Sequence, residues 1–199
     1  MRKLTGKGLI LIFIFLKGSA CSFSQNTDVD LLNKINSPET RPSDTYWKIT
    51  SASDAPVSLA TPVTLFTVGL INKDETLKKN GILSGITFLT TTGLTMGLKY
   101  SIKRERPFNA YPGIIVNKVD AGTWSFPSGH TSTAFATATS LTLTFPKWYV
   151  AVPAYLWAGT VAYSRMHLGV HYPSDLLGGI VIGVGSGFLV WGVDRWLNK

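Results

Sequence analysis

The chain has 199 residues, of which 45% are apolar and only 15% are charged, and its formal net charge is +8. This length suits one domain with a full core, and the low charge favours a membrane protein over an ordinary soluble one. Cys21 is the only cysteine, which excludes an intrachain disulfide. The positive charge suggests an anionic partner, but nucleic acid is not expected because no nucleic-acid-binding fold accompanies the basic residues.

Residues 1–25 have the pattern of a secretory signal, with basic residues, a short apolar run from Leu9 to Leu16 and small residues after it. Cleavage could follow Ala20 or Gln25. The run is short for an uncleaved anchor, because spanning a bilayer takes about 20 residues. Lipidation of Cys21 is a further alternative, although Gly18 stands where such signals usually carry a leucine-like side chain.

The rest of the chain divides into a polar leader, residues 26–55, and a main body, residues 56–199. The leader reads as a loop or surface helix and carries no motif. In the main body, uncharged runs bounded by charge or proline predict an all-α bundle of about five to six hydrophobic helices, embedded in a membrane. A soluble helical bundle is the alternative. The runs are Val57–Asn72, Asn80–Leu98, Thr131–Pro146, Trp148–Ser164 and Leu176–Val193.

Two further patterns support membrane embedding. Gly179, Gly183 and Gly187 recur every four residues, a small-residue stripe that lets helices approach closely in lipid, or in any tightly packed bundle. With five crossings and the leader outside, the basic segments 72–80, 147 and 195–199 lie on the cytoplasmic face, as the positive-inside tendency prefers. Residues 99–130 and 165–175, which carry all three histidines, then share the outer face.

The first chemical motif is KYSIKRERP, in which Lys99 and Arg106 stand where the second hydrophobic helix emerges. Both cations can converge on an anionic group at the membrane surface, with Arg106 acting as a planar fork and Lys99 as a point charge. Basic residues flanking a helix end, with their charges reaching the interface, are the structural alternative.

The second motif is FPSGHTST, residues 126–133, which predicts a turn followed by a helix that Ser128 or Thr131 caps. Free backbone N–H groups at such a terminus hold an oxyanion. His130 lies at this terminus, where it can pass a proton to a leaving group. An ordinary helix cap with an incidental histidine is the alternative.

The third motif is YSRMHLGVHYPSD, residues 163–175. His167, His171 and Asp175 would line one face of a continuous helix as metal ligands, but Gly169 and Pro173 argue against that helix. The better interpretation pairs His171 with Asp175, because a carboxylate on one ring nitrogen leaves the other free to attack. Arg165 adds a third cation, while His167 has no assigned task and is expected to face the solvent or the lipid head groups.

These motifs together resemble the type 2 phosphatidic acid phosphatases (PAP2), which share a site with bacterial class A acid phosphatases and vanadium haloperoxidases. The family pattern has three parts, and this chain matches each over about Val57 to Val193. The parts are Lys, six residues, Arg-Pro; Pro-Ser-Gly-His; and Ser-Arg, five residues, His, three residues, Asp. The matching residues are Lys99, Arg106 and Pro107; Pro127, Ser128, Gly129 and His130; Ser164, Arg165, His171 and Asp175.

The resemblance implies a role for each residue. His171 would attack phosphorus to form a phosphohistidine while Asp175 orients it, and His130 would act as general acid and then base. The phosphate oxygens would be held by Lys99, Arg106, Arg165, the Ser128 hydroxyl and the Gly129 backbone. No metal or other cofactor is implied.

The expected function is that of an integral-membrane lipid phosphatase of the bacterial inner membrane with its site facing the periplasm. The substrate could be undecaprenyl diphosphate, phosphatidylglycerol phosphate, phosphatidic acid or a lipid A phosphate. A soluble periplasmic class A-type acid phosphatase is the first alternative. A vanadium haloperoxidase is the second, from which this short hydrophobic chain departs.

Overall fold

A computed structural model describes residues 27–37 and 39–198, and within these ranges every regular element is a helix. The segment predicted as a secretory signal lies outside the described residues. The described part of the first helix, α1, is residues 27–35. The elements that follow are α2 (Ser43–Ala52), α3 (Asp54–Ile71), α4 (Glu75–Ile102), α5 (Pro107–Ala110), α6 (Gly129–Thr144), α7 (Trp148–His167) and α8 (Pro173–Leu197).

The five uncharged runs form α3, α4, α6, α7 and α8, which confirms the all-α prediction. Local signals set several helix ends. The Asp74 carboxylate accepts a hydrogen bond of 2.9 Å from the Leu77 backbone and caps α4, and Pro173 occupies the first turn of α8. At the other end of α4, Lys103 adopts a left-handed conformation with φ +52° and stops the helix.

Helix α6 is the centre of the bundle, because α3, α4, α7 and α8 all pack against it. Its contact with α8 depends on the glycine stripe. A Cβ atom at Gly179 would lie 2.9 Å from the Ser128 carbonyl oxygen, and one at Gly187 would lie 2.6 Å from a methyl group of Thr139. Neither position has room for a side chain, so the stripe brings the two backbones together.

The outside of the bundle is apolar, with side chains such as Val63, Leu89, Leu156 and Val181 each more than 60% exposed. Three helical segments are long and apolar enough to cross a membrane: Ser43–Ile71, Glu75–Ala110 and Pro173–Leu197. Helix α6 has only 16 residues, and its alanine, serine and threonine side chains are largely buried in the bundle. Its composition therefore reflects a helix surrounded by other helices rather than by lipid.

The polar leader is folded against the main body. Asn36 is fully buried and exchanges hydrogen bonds with the backbone of Val116, its Nδ2 donating over 3.1 Å and its Oδ1 accepting over 2.8 Å. The expected boundary between residues 55 and 56 falls inside α3, after its second residue. The division of the chain into leader and main body remains a prediction.

Candidate active site

Two segments, residues 99–130 and 165–175, hold the candidate site residues of the three motifs and meet at one end of the bundle. The Ser128 backbone N–H donates to the Asp175 carbonyl over 3.1 Å, and the Ser125 N–H donates to the Arg104 carbonyl over 2.8 Å. These bonds join the end of α4, the start of α6 and the start of α8. The fold therefore brings together the side chains that the family pattern assigns to the site.

The His171–Asp175 pair forms where the chain turns between α7 and α8. Helix α7 ends at His167, and Gly169 turns the chain with φ +75°, a conformation that favours glycine. The Asp175 carboxylate, in the first turn of α8, accepts a hydrogen bond of 2.9 Å from the Tyr172 backbone. Its Oδ2 lies 3.4 Å from Nδ1 of His171, and both side chains are buried.

The other ring nitrogen of His171 faces Arg106. Arg106 Nη1 lies 3.4 Å from His171 Nε2 and donates to the Val170 carbonyl over 2.7 Å, while its Nε donates to the Gly122 carbonyl. This arrangement fits a tautomer with the proton on Nδ1 and the lone pair on Nε2. Burial lowers the pKa of His171 to about 3, assisted by Arg106 and Arg165 and opposed by Asp175, so the imidazole is neutral.

The other two cations approach from separate helices. Lys99 Nζ donates to the backbone carbonyls of Trp124 and Ser125 over 2.9 and 3.3 Å, which joins α4 to the loop between α5 and α6. Arg165 is 4% exposed and donates through Nη1 to the Ser51 hydroxyl. Its Nε is buried and has no hydrogen-bond partner among the described residues. A buried guanidinium with an unused N–H is suited to receive an oxyanion.

His130 occupies the first turn of α6, after Ser128 at the N-cap and Gly129. The Ser128 hydroxyl does not cap the helix but accepts a hydrogen bond of 2.9 Å from Thr131. Burial, together with the charges of Arg165, Arg106 and Lys99, lowers the pKa of His130 to about 3. All three cations therefore act on the histidine at the helix terminus.

Sequence reasoning missed the residues that hold Asp175 in place. Arg104 Nη1 donates to Asp175 Oδ1 over 2.7 Å and Nη2 donates to Asp28 over 3.0 Å, while the guanidinium stacks on the Tyr172 ring at 3.9 Å. Ser125 also donates to Asp175. Arg104 stands inside the first motif, but its spacing gives no sign of this contact because Asp175 is 71 residues away.

His167 belongs to a different cluster, which corrects the expectation that it faces solvent or lipid head groups. It is 4% exposed, and its Nε2 lies 2.7 Å from Asp44 Oδ1. Asp44 also accepts hydrogen bonds of 2.9 and 3.0 Å from Lys118. His167 and His171 thus have different carboxylate partners, and no group of three His, Cys, Asp or Glu residues in the described ranges is placed to hold a metal ion.

Fold and site together define a helical membrane protein with a buried, cation-rich histidine site. The model of the PAP2 superfamily matches residues 81–199. The chain belongs to this superfamily.

The chain is 37% identical over 106 residues to lipid A 4'-phosphatase of Bacteroides thetaiotaomicron, covering 51% of this chain and 47% of the relative. It is 34% identical over 112 residues to undecaprenyl-diphosphatase of Sulfolobus acidocaldarius, covering 56% and 54%. The chain thus spans about half the length of these relatives.

The structure is similar to that of the transmembrane PAP2 type phosphatidylglycerolphosphate phosphatase from Bacillus subtilis, with a TM-score of 0.72 and 27% identity. The similarity covers 94% of each chain. It confirms the expected PAP2-like helical fold over nearly the whole protein.

Proposed function

We propose that this protein is a membrane lipid phosphatase that works without a metal ion, through a phosphohistidine intermediate on His171. The observation that carries the proposal is the buried His171–Asp175 pair with Nε2 directed at Arg106. A neutral imidazole, oriented by a carboxylate on one nitrogen and directed at a cation that binds phosphate oxygens, is equipped to attack phosphorus.

In the first step, the lone pair of His171 Nε2 forms a bond to phosphorus while the bond from phosphorus to the leaving oxygen breaks. His130 gives its proton to that oxygen. Arg106, Arg165 and Lys99 stabilise the nonbridging oxygens, together with the Ser128 hydroxyl and the Gly129 N–H at the terminus of α6.

The acid role of His130 requires a proton that it binds weakly on its own, since its pKa is about 3. A phosphate dianion placed among the three cations offsets their charge and raises the pKa of His130. Substrate binding would in this way favour the protonated form of His130, which then donates its proton to the leaving group. In the second step, His130 takes a proton from water, whose oxygen attacks phosphorus and breaks the bond to Nε2, releasing inorganic phosphate.

Arg104 is a positioning residue in this scheme. It contacts Asp175 rather than the reacting atoms, and it connects Asp175 to Asp28 of the leader. The imidazolium character that develops on His171 during attack is stabilised by Asp175, whose geometry Arg104 and Ser125 hold fixed.

The relatives favour a lipid substrate, since their names specify lipid A, undecaprenyl diphosphate and phosphatidylglycerol phosphate. The three candidate spans and the exposed apolar side chains agree with a substrate that is itself held in a membrane. We place the protein in the bacterial inner membrane, with the site on the periplasmic side. The positive-inside tendency puts the basic segments 72–80, 147 and 195–199 on the cytoplasmic face, opposite the site.

The test is phosphate release by detergent-purified protein from a panel of lipid phosphates and one soluble ester, with EDTA present. Turnover of a lipid that is unaffected by EDTA and abolished in His171→Ala would support the proposal. The matched control is His167→Ala, which removes a buried imidazole four residues away.

Two outcomes would contradict the proposal. Loss of activity in EDTA would show that a metal ion is required. Retention of turnover by His171→Ala would show that another group attacks phosphorus. Acid quenching followed by detection of acid-labile, histidine-linked phosphate would provide a direct test of the intermediate.

A further inference from the structure

A cavity of about 230 Å³ lies beside the phosphate-binding residues, between α3, α4 and α6. Lys99, Gly129 and His130 form one part of its wall. Its α4 wall runs from Lys99 to Phe88, which is about 16 Å along the helix axis. Because His130 is the proposed proton donor to the leaving oxygen, the leaving group would lie in this cavity.

One wall of this cavity carries polar groups that the phosphatase mechanism does not use. Thr92 and Thr95 stand three residues apart on α4, and their hydroxyls are buried without a hydrogen-bond partner among the described residues. Burying a hydroxyl without a partner is costly, and such groups usually have a ligand or water. The apolar part of the wall is formed by Ala55, Leu59, Phe88 and Met96.

Asp54 adds a buried carboxylate to the same wall. It is 5% exposed and accepts hydrogen bonds from the hydroxyls of Thr133, at 2.8 and 3.0 Å, and Ser58, at 3.1 Å. Thr133 follows His130 by three residues on α6, so Asp54 lies one helical turn from the proton donor. Arg165 is near enough to interact with it electrostatically.

A carboxylate beside the leaving oxygen distinguishes two classes of substrate. Cleavage of a lipid diphosphate leaves a lipid monophosphate, whose negative charge Asp54 would repel at close range. Cleavage of a monoester leaves an alcohol, which has no phosphate bonded to the leaving oxygen. If that alcohol carries a further hydroxyl, Asp54 can accept a hydrogen bond from it, and Thr92 and Thr95 supply further polar partners.

We propose that the substrate is a phosphate monoester of a hydroxylated lipid, sugar-linked or glycerol-linked, rather than a polyprenyl diphosphate. This inference rests on the proposed phosphatase function and assigns Asp54, Thr92 and Thr95 to recognition of the leaving group. The apolar residues further along the cavity receive the start of the lipid chain.

The experiment compares kcat/KM for four substrates in detergent micelles: a lipid A phosphate, phosphatidylglycerol phosphate, phosphatidic acid and undecaprenyl diphosphate. We expect the wild-type protein to prefer one of the first two by at least about 10-fold over the diphosphate, because a site that pairs a substrate hydroxyl discriminates strongly. Comparison of the rates with the lipid A phosphate and with phosphatidylglycerol phosphate shows whether the site recognises a sugar or a glycerol group. Phosphatidic acid, whose leaving group is neutral but has no free hydroxyl, should lie between.

Asp54→Asn should reduce the ratio of monoester to diphosphate kcat/KM by about 10-fold, since it removes the charge and keeps the shape. Thr95→Val should lower the same ratio several-fold, because it removes one hydroxyl of the cavity wall. Asp74→Asn is the matched control, because it makes the same change at the start of α4, away from this cavity, where asparagine can still cap the helix.

The outcomes separate the two proposals. If wild-type protein hydrolyses none of the four lipids, the phosphatase function itself is wrong. If it is active but prefers the diphosphate, the inference about the leaving group is overturned. If Asp54 had a purely structural role, through Arg165, Asp54→Asn would lower the rates with all substrates equally. The unchanged ratio would also overturn the inference about the leaving group. Should Asp54→Asn fail to fold, the Thr95→Val ratio decides the question.

Discussion

Arg104 Nη1 lies 2.7 Å from Oδ1 of Asp175, a carboxylate with a fully buried side chain. The same guanidinium contacts Asp28 in the leader, so one arginine connects the carboxylate partner of His171 to a segment in which the sequence shows no motif. Buried charge pairs of this kind are costly to break from one side, because the remaining charge is left without its partner.

Replacing Arg104 by alanine should lower kcat by about 10- to 100-fold while KM changes little, because a small displacement of a catalytic group has effects of this size. Steady-state phosphate release from the preferred lipid measures both constants. Arg104→Lys should recover only part of the loss, since an ammonium cannot contact both carboxylates as a planar fork does.

Lys103→Asn is the control for Arg104→Ala. It removes the same charge from the neighbouring exposed residue, and asparagine tolerates the left-handed conformation that Lys103 adopts. Equal losses of kcat in the two variants would attribute the effect to net charge rather than to the Asp175 contact.

Asp28 and Arg104 should be energetically coupled. In a double-mutant cycle with Asp28→Asn and Arg104→Ala, the effects on kcat should be non-additive, with a coupling of about 0.5–3 kcal/mol. Asp28 also accepts hydrogen bonds from the Ser174 backbone, at 3.1 Å, and from its hydroxyl, so it holds the first turn of α8 directly. Additive effects would show that the leader does not act through Arg104.

The contrast between Arg104 and His171 shows what a sequence can and cannot predict. Local spacing identifies His171 and Asp175, because a histidine and an aspartate four residues apart can pair across one turn. The same reasoning finds the helices, since hydrophobic runs have a recognisable length. The contacts of Asp28, Asn36 and Asp44 join residues more than 70 positions apart, and no local pattern encodes them.

His130 should become more basic when an anion enters the site. We expect its pKa to rise by at least about one unit on addition of inorganic phosphate or vanadate, because the anion offsets the charges of Arg165, Arg106 and Lys99. The measurement is NMR titration of ¹³C-labelled histidine in detergent, with His130→Gln to assign the signal. An unchanged pKa would contradict the proposed delivery of the proton by substrate binding.

Stability should fall as the pH is lowered from about 6.5. His130 and His171 have pKa values of about 3 in the folded protein, against an ordinary value of 6.5. Between these pH values the unfolded chain binds protons that the folded protein does not, so the free energy of unfolding decreases on acidification.

The test compares Tm in detergent at about pH 7.5 and about pH 5 for the wild type and for a variant with both histidines changed to glutamine. The variant should show the smaller decrease, because it lacks two groups whose protonation favours the unfolded chain. An identical decrease would show that other groups control the acid sensitivity.

His167→Ala should affect stability more than chemistry. The substitution removes the 2.7 Å contact with Asp44 and leaves a small cavity, at a cost of about 1–3 kcal/mol. Thermal unfolding in detergent should show a lower Tm, with kcat reduced only a few-fold. Complete loss of turnover in a variant that remains folded would show that His167 has a chemical role after all.

Local sequence patterns also cannot distinguish the roles of His167 and His171, the two histidines of the third motif. Their spacing from Asp175 is consistent with one shared metal, and only Gly169 and Pro173 indicate that the helix is interrupted. The partner of His167 is Asp44, 123 residues earlier in the chain, so its structural role depends on the packing of α2 against α7.

The close packing of α6 and α8 has a consequence for how the protein responds to its surroundings. His130 and Asp175 stand in the first turns of these two helices, and the Ser128–Asp175 backbone hydrogen bond joins the helices at that end. The glycine contacts that set their separation lie inside the bundle and do not face lipid. We therefore expect bilayer thickness and lateral pressure to act mainly on the outer helices, and the distance between His130 and Asp175 to depend little on the composition of the membrane.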